Sequence, residues 1–227
     1  METKAVIFDM DGVIFDSERA IYNGWMELAT KYKLTDIEML YMKCVGVNAV
    51  MTRQIFLDYY GEDFPYDEYK EELSKDYHER YDNGRLPMKP GIRELLVSLQ
   101  EKGYKLAIAS STRTPIVEKQ IEDAGLREYF DVIVGGDMVE RSKPEPDIFL
   151  RAAKLLGVLP EQAYVIEDSY NGIRAAFAGG MIPIMVPDLI EPNQEMEEKA
   201  RYIFKDLYEV KELLGLLIKR EASRSSL

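Results

Sequence analysis

The chain is short of the side chains that most often reveal a function. It has one cysteine, Cys44, so no intrachain disulfide can form, which points to a reducing compartment and a cytoplasmic location. Its one histidine, His78, lies in a polar stretch with no partner motif and reads as a surface residue. Basic residues are scarce: 29 Lys and Arg face 41 Asp and Glu, for a net charge of -12. That balance argues against sequence-blind nucleic-acid binding, and any phosphate-bearing ligand would need a local cation or basic cluster. No apolar run approaches ~18 residues, so no membrane span is expected. Met1-Glu2-Thr3-Lys4 leads straight into apolar chain, with no charged-then-apolar leader. No internal repeat is evident.

What remains is ordinary material for a globular protein: 227 residues, 46% hydrophobic and 31% charged. This suits one large domain or a core with a modest insertion. The most informative stretch is Ala5-Val6-Ile7-Phe8-Asp9-Met10-Asp11-Gly12. Four apolar residues without polar alternation read as a strand covered on both faces, as in a parallel sheet. Ligand sites in such sheets lie beyond the carboxyl ends of the strands, where Asp9 and Asp11 stand. Two acids on one side repel, so a proton, a cation or a basic side chain must offset them. Gly12 lets the chain leave the strand with dihedrals that other residues resist.

From about residue 18 to 83 the pattern is wholly helical. Ser17-Glu18 can cap a helix running to about Lys33, with Ile21, Trp25, Leu28 and Tyr32 on one face. Further helices are predicted near 36–45, 50–60 and 66–81. From Pro87 helices and strands alternate. Strands are predicted at 104–109, 131–134, 163–166 and 182–186, and helices at 91–102, 115–124, 147–156, 171–178 and 208–219. Such alternation implies a parallel sheet with helices on both faces. The fold class is therefore α/β, a Rossmann-like core of residues 1–16 and 85–227 interrupted by a four-helix insert, 17–84. Glu221–Leu227 reads as a frayed tail.

Polar residues follow the strands at one common edge: Asp9 and Asp11, then Ser110-Ser111-Thr112-Arg113, then Lys143-Pro144-Glu145-Pro146, then Glu167-Asp168-Ser169. Taken singly, each has a plain structural explanation. Asp-x-Asp-Gly occurs in turns and calcium loops, although the calcium-loop spacing fails here at Val13, Ile14 and Ala20. Ser110 suits a turn, Lys143 a solvated surface, Glu167 and Asp168 a helix start, and Ser169 a helix cap. Taken together, they suit phosphoryl transfer. Carboxylates can bind Mg2+, a lysine balances phosphate and carboxylate charge, and hydroxyls hold phosphate oxygens. A carboxylate can act as nucleophile and a second as acid and base.

These residues are similar to the four motifs of the haloacid dehalogenase superfamily, and more narrowly to its phosphatases and β-phosphoglucomutase-like enzymes with a helical cap. The resemblance covers essentially the whole chain. It implies Asp9 as nucleophile, Asp11 as general acid/base, and Ser110 and Lys143 as stabilisers of phosphate and intermediate. Metal ligands would come from Asp9, the Asp11 carbonyl and Asp168, with Glu167 at or just outside the coordination sphere. Gly12, Ser111, Arg113, Gly46 and Asn48 complete the implied phosphate- and substrate-binding set. Asp16 is left as a hinge or cap residue. Asp11 argues for phosphate-ester cleavage, since dehalogenase members lack that acid and phosphonatase members carry Ala there. β-Phosphoglucomutases carry a cap histidine where this chain has Ile21, and a Lys-Gly-x-Ser-Arg stretch where it has Val45-Gly46-Val47-Asn48-Ala49. The expected function is Mg2+-dependent hydrolysis of a small phosphorylated metabolite by a monomer, with sugar phosphates foremost. A sugar-phosphate mutase and a non-catalytic phospho-responsive module are the alternatives.

Overall fold

The computed structural model describes residues 5–45 and 49–224, with side chains through Leu216. Strand β1 (Ala5–Phe8) is wholly buried and sits at the middle of the sheet. It pairs in parallel with β2 (Lys105–Ala109) on one side and β4 (Ala163–Glu167) on the other. β3 (Val132–Val134), β5 (Ile182–Met185) and β6 (Tyr202–Ile203) complete a parallel sheet of order β3-β2-β1-β4-β5-β6. The order reverses at β1, and ligands of open α/β sheets collect at such a reversal. Register matters as much as order. Phe8 pairs with both Ile108 and Ile166, so the three central strands end level and their next residues share one edge.

The unpatterned strands are explained by cover on both faces. Val6 and Phe8 of β1 join a core with α5 (Ile92–Glu101), α6 (Thr114–Asp123) and α10 (Leu207–Arg224). Ala5 and Ile7 join the opposite core with α7 (Asp147–Leu156) and α8 (Tyr170–Ala178). The insert holds α1 (Ser17–Tyr32), α2 (Ile37–Cys44), α3 (Ala49–Tyr60) and α4 (Tyr66–Tyr81). These helices have an apolar cluster of their own around Trp25, Leu28, Tyr41 and Phe56, with the Trp25 and Phe56 rings 4.8 Å apart. The chain leaves and re-enters the sheet region side by side: Asp16 N–H donates to Pro87 O at 2.8 Å, and Lys89 N–H to Ile14 O at 2.9 Å.

Three features depart from expectation. α9 (Gln194–Lys199) and β6 were not foreseen, since Met196 is the one buried residue of α9 and β6 is only two residues long. α10 runs to Arg224, past the expected end at Lys219, so residues 221–224 of the expected tail are helical, and 225–227 lie outside the described residues. Glu221, Ala222 and Arg224 are good helix formers. Ser17 does not cap α1: it is the first helical residue and its hydroxyl bonds Asp11, while the cap position falls on Asp16, whose side chain makes no cap bond.

Candidate active site

After β1 the chain turns back on itself. Ile14 and Phe15 N–H both donate to Met10 O, and Gly12 N–H donates to Phe15 O. Gly12 has φ +79°, and a Cβ at that position would lie 2.3 Å from Asp168 Oδ2. Glycine is needed both for the left-handed backbone and for the close approach of a carboxylate.

Asp9 is buried beside Lys143, whose ammonium donates to Asp9 Oδ1 at 2.5 Å and to Glu167 Oε1 at 2.7 Å. The ammonium also lies 4.8 Å from the centre of the Phe149 ring. The other Glu167 oxygen accepts from the Ser169 N–H at 2.8 Å and its hydroxyl at 3.0 Å. Ser169 in turn caps α8 by accepting from Gly172 N–H. Burial pushes the Asp9 carboxyl well above the usual range, with Glu167 and Asp11 adding to it and Lys143 pulling against it. Lys143 stays raised above the ordinary lysine value, since Asp9 and Glu167 outweigh its burial.

Asp11 is held by hydroxyls. Ser17 Oγ donates to Oδ1 at 2.7 Å, and Thr112 Oγ1 to Oδ2 at 3.1 Å. Ser110 Oγ stands farther from Oδ2, at 3.5 Å. These residues open on a cavity of about 440 Å³ between the sheet edge and the insert. Asp9, Asp11, Ser111, Thr112, Lys143 and Asp168 line the sheet side, and Glu18, Ile21, Cys44, Val45 and Ala49 the helical side. Burial, reinforced by Asp11 and Asp188, pushes Glu18 up to about 7, while a Tyr41 hydrogen bond lowers it. Burial also pushes the Cys44 thiol up to about 11, so it is no thiolate at neutral pH.

Asp168 bears on whether a divalent cation fits. It is buried and has no hydrogen-bond or ion-pair partner among the described residues. Burial and the nearby Glu167, Asp9, Glu18 and Asp188 all push its carboxyl up. Two crowded acids, Asp9 and Asp168, form an oxygen donor set that a hard divalent cation suits. No three Asp, Glu, His or Cys side chains among the described residues gather closely enough to hold an ion alone. Backbone oxygen and water would have to complete the shell, which matches the waters that Mg2+ keeps.

The sequence model of the haloacid dehalogenase-like hydrolases matches residues 6–186. The chain belongs to this family. A Thermotoga maritima relative named phosphorylated carbohydrates phosphatase is 35% identical over 181 residues, covering 78% of this chain and 82% of that one. Hexitol phosphatase A of Escherichia coli is 31% identical, covering 82% and 84%. The crystal structure of β-phosphoglucomutase from Clostridium difficile superposes with a TM-score of 0.74 at 26% identity, covering 97% of this chain and 99% of that one.

In this hydrolase Asp9, Asp11, Lys143, Glu167 and Asp168 converge as the sequence implies. Several other expectations change. One Glu167 oxygen accepts from Lys143 and the other from Ser169, so Glu167 anchors the lysine beside Asp9. Ser110 is fully buried, turned toward Asp11 and the Thr112 N–H, and it is not among the residues of the cavity wall. Thr112, absent from the expected set, is on that wall. Arg113 is exposed at the start of α6 and off the cavity. Gly46 and Asn48 lie outside the described residues. Asp16 pairs with Lys89 at 3.3 Å, and Lys89 also reaches Asp188 at 2.8 Å. His78 is exposed and pairs with Asp82 at 2.9 Å.

Proposed function

We propose that this hydrolase is a Mg2+-dependent phosphatase of small phosphomonoesters, sugar phosphates foremost, working through a phospho-Asp9 intermediate. The observation that carries this reading is the division of the acid pair. Asp9 is tied to the buried Lys143 at 2.5 Å, whereas Asp11 is held by the Ser17 and Thr112 hydroxyls. The Asp9 carboxylate attacks phosphorus, and Lys143 offsets charge on both the nucleophile and the transferring oxygens. Asp11 gives a proton to the departing alcohol oxygen, then takes one from the water that attacks the phosphoryl group of phospho-Asp9. Free phosphate and ionised Asp9 result. The Ser111 hydroxyl, on the cavity wall, donates to a phosphate oxygen, while the Thr112 hydroxyl stays with Asp11. Mg2+, held by Asp9, Asp168 and the Asp11 carbonyl, would screen the approach of anion to anion. Helices α1–α4, residues 17–84, act as a cap over the core of 1–16 and 85–227, excluding water and contacting the leaving group.

The likeness to β-phosphoglucomutase keeps a mutase reading in view. Ile21 opposes it: the cavity wall carries an apolar side chain where that enzyme's resemblance calls for a histidine. Hydrolysis is the default when water can take the phosphoryl group. The test is a panel of phosphorylated metabolites with Mg2+, β-glucose 1-phosphate included, scored for phosphate release and for glucose 6-phosphate. Phosphate release without isomerisation is expected. Isomerisation with little release would favour the mutase.

A further inference from the structure

The phosphatase mechanism does not use Glu18, although Glu18 lines the same cavity. It stands in the first turn of α1, so it faces the reaction from the helical side. Its neighbours on that wall, Ile21, Cys44, Val45 and Ala49, carry no charge at neutral pH. Glu18 is therefore the one carboxyl on that side of the wall among the described residues, and the insert's nearest cation to it, Lys70 of α4, is exposed and off the cavity wall. Its Oε2 lies 2.9 Å from the hydroxyl of Tyr41, which is buried, so the side chain is held in place. Oε1 has no hydrogen-bond partner among the described residues. A carboxyl with one oxygen fixed and the other free is a ready acceptor for a hydroxyl.

Charge decides what such a wall admits. The cavity is lined by five acids and one lysine, and that lysine is already shared by Asp9 and Glu167. One phosphoryl group has Lys143 and the cation site to meet it. A second anion, at the far end of the leaving group, would meet Glu18 and no cation of the described wall, since Arg113 lies off the cavity.

We propose that Glu18 selects the leaving group, accepting a hydroxyl of a neutral polyol phosphate and turning away esters with a second anion at that end. This inference rests on the phosphatase reading. Sorbitol 6-phosphate and 6-phosphogluconate test it, because they differ only in a terminal CH2OH against a carboxylate. The wild-type kcat/KM should favour the neutral ester by about tenfold or more, equivalent to ~1.4 kcal/mol. In Glu18→Gln that preference should shrink several-fold through a gain on 6-phosphogluconate, a gain that misfolding cannot produce. The inference is overturned if wild type does not prefer the neutral ester. It is also overturned if Glu18→Gln keeps the wild-type ratio while still turning over p-nitrophenyl phosphate. Failure of the wild type to release phosphate from all three esters would instead overturn the phosphatase reading itself.

Discussion

The Lys143 ammonium lies 2.5 Å from Asp9 Oδ1, and all three members of the Asp9–Lys143–Glu167 cluster are buried. A shared cation between two buried carboxylates is hard to remove. Deleting it strands two like charges, and breaking a buried pair costs about 3–5 kcal/mol. Lys143→Ala should therefore lose thermal stability and at least about 10²-fold in kcat. Glu167→Gln keeps an acceptor for the ammonium and should cost less on both counts. Thermal melts and p-nitrophenyl phosphate kinetics check the order; equal losses in the two variants would contradict it.

Gly12 links backbone and cation site. Gly12→Ala would place a Cβ 2.3 Å from Asp168 Oδ2 on a backbone of φ +79°. The left-handed strain alone is about 1–2 kcal/mol, and Asp168 must also move. The Mg2+ concentration for half-maximal activity should rise about tenfold or more, a change of the size seen when groups supporting a metal site are disturbed. A Mg2+ titration of the variant reads this directly, and an unchanged midpoint would argue against Asp168 as a ligand.

Ser17 supplies a hydroxyl to Asp11 across six residues. Ser17→Ala should lower kcat roughly tenfold, a part of the ~10²–10⁴ that positioned acid–base catalysis contributes. KM should change little, and Ser17→Thr should restore the rate. A loss confined to KM would mean that Ser17 serves binding and not the proton carrier.

The sheet was legible because its strands are short apolar runs punctuated by glycine, and their parallel order makes strand-end residues neighbours. Asp9, Lys143 and Asp168 could therefore be grouped across 160 residues. Residues that act through tertiary placement left no such mark. Ser17 has the chemistry of a helix cap, and only the fold turns it to Asp11 instead. Ser110 and Thr112 are both hydroxyls on one turn, and which one faces the cavity depends on a local bond, Thr112 N–H to Ser110 Oγ at 3.1 Å. Glu18 resembles any acid favoured in a first helical turn. The Asp16–Lys89–Asp188 cluster joins three distant segments, with no spacing to announce it.

Glu18 also gives stability a pH dependence. Its carboxyl is raised from 4.5 to about 7 in the folded chain, so the fold favours the protonated form. That stabilisation is fully present below about pH 4.5 and is lost as pH rises through 7, up to about 3 kcal/mol at ~1.4 per unit. Glu18→Gln removes the titration. Its Tm relative to wild type, both without Mg2+, should become more favourable as pH rises from about 5 to about 8. A difference that stays flat across that range would place Glu18 in a solvated setting.

Transfer of the phosphoryl group to Asp9 is the step on which the account depends. Wild-type enzyme mixed with excess substrate and Mg2+, quenched in acid and digested, should yield a phosphoryl group on the peptide that carries Asp9. Asp9→Asn should yield none and release no phosphate. Phosphate release that persists in Asp9→Asn, or a phosphoryl group mapped to another residue, would contradict the account.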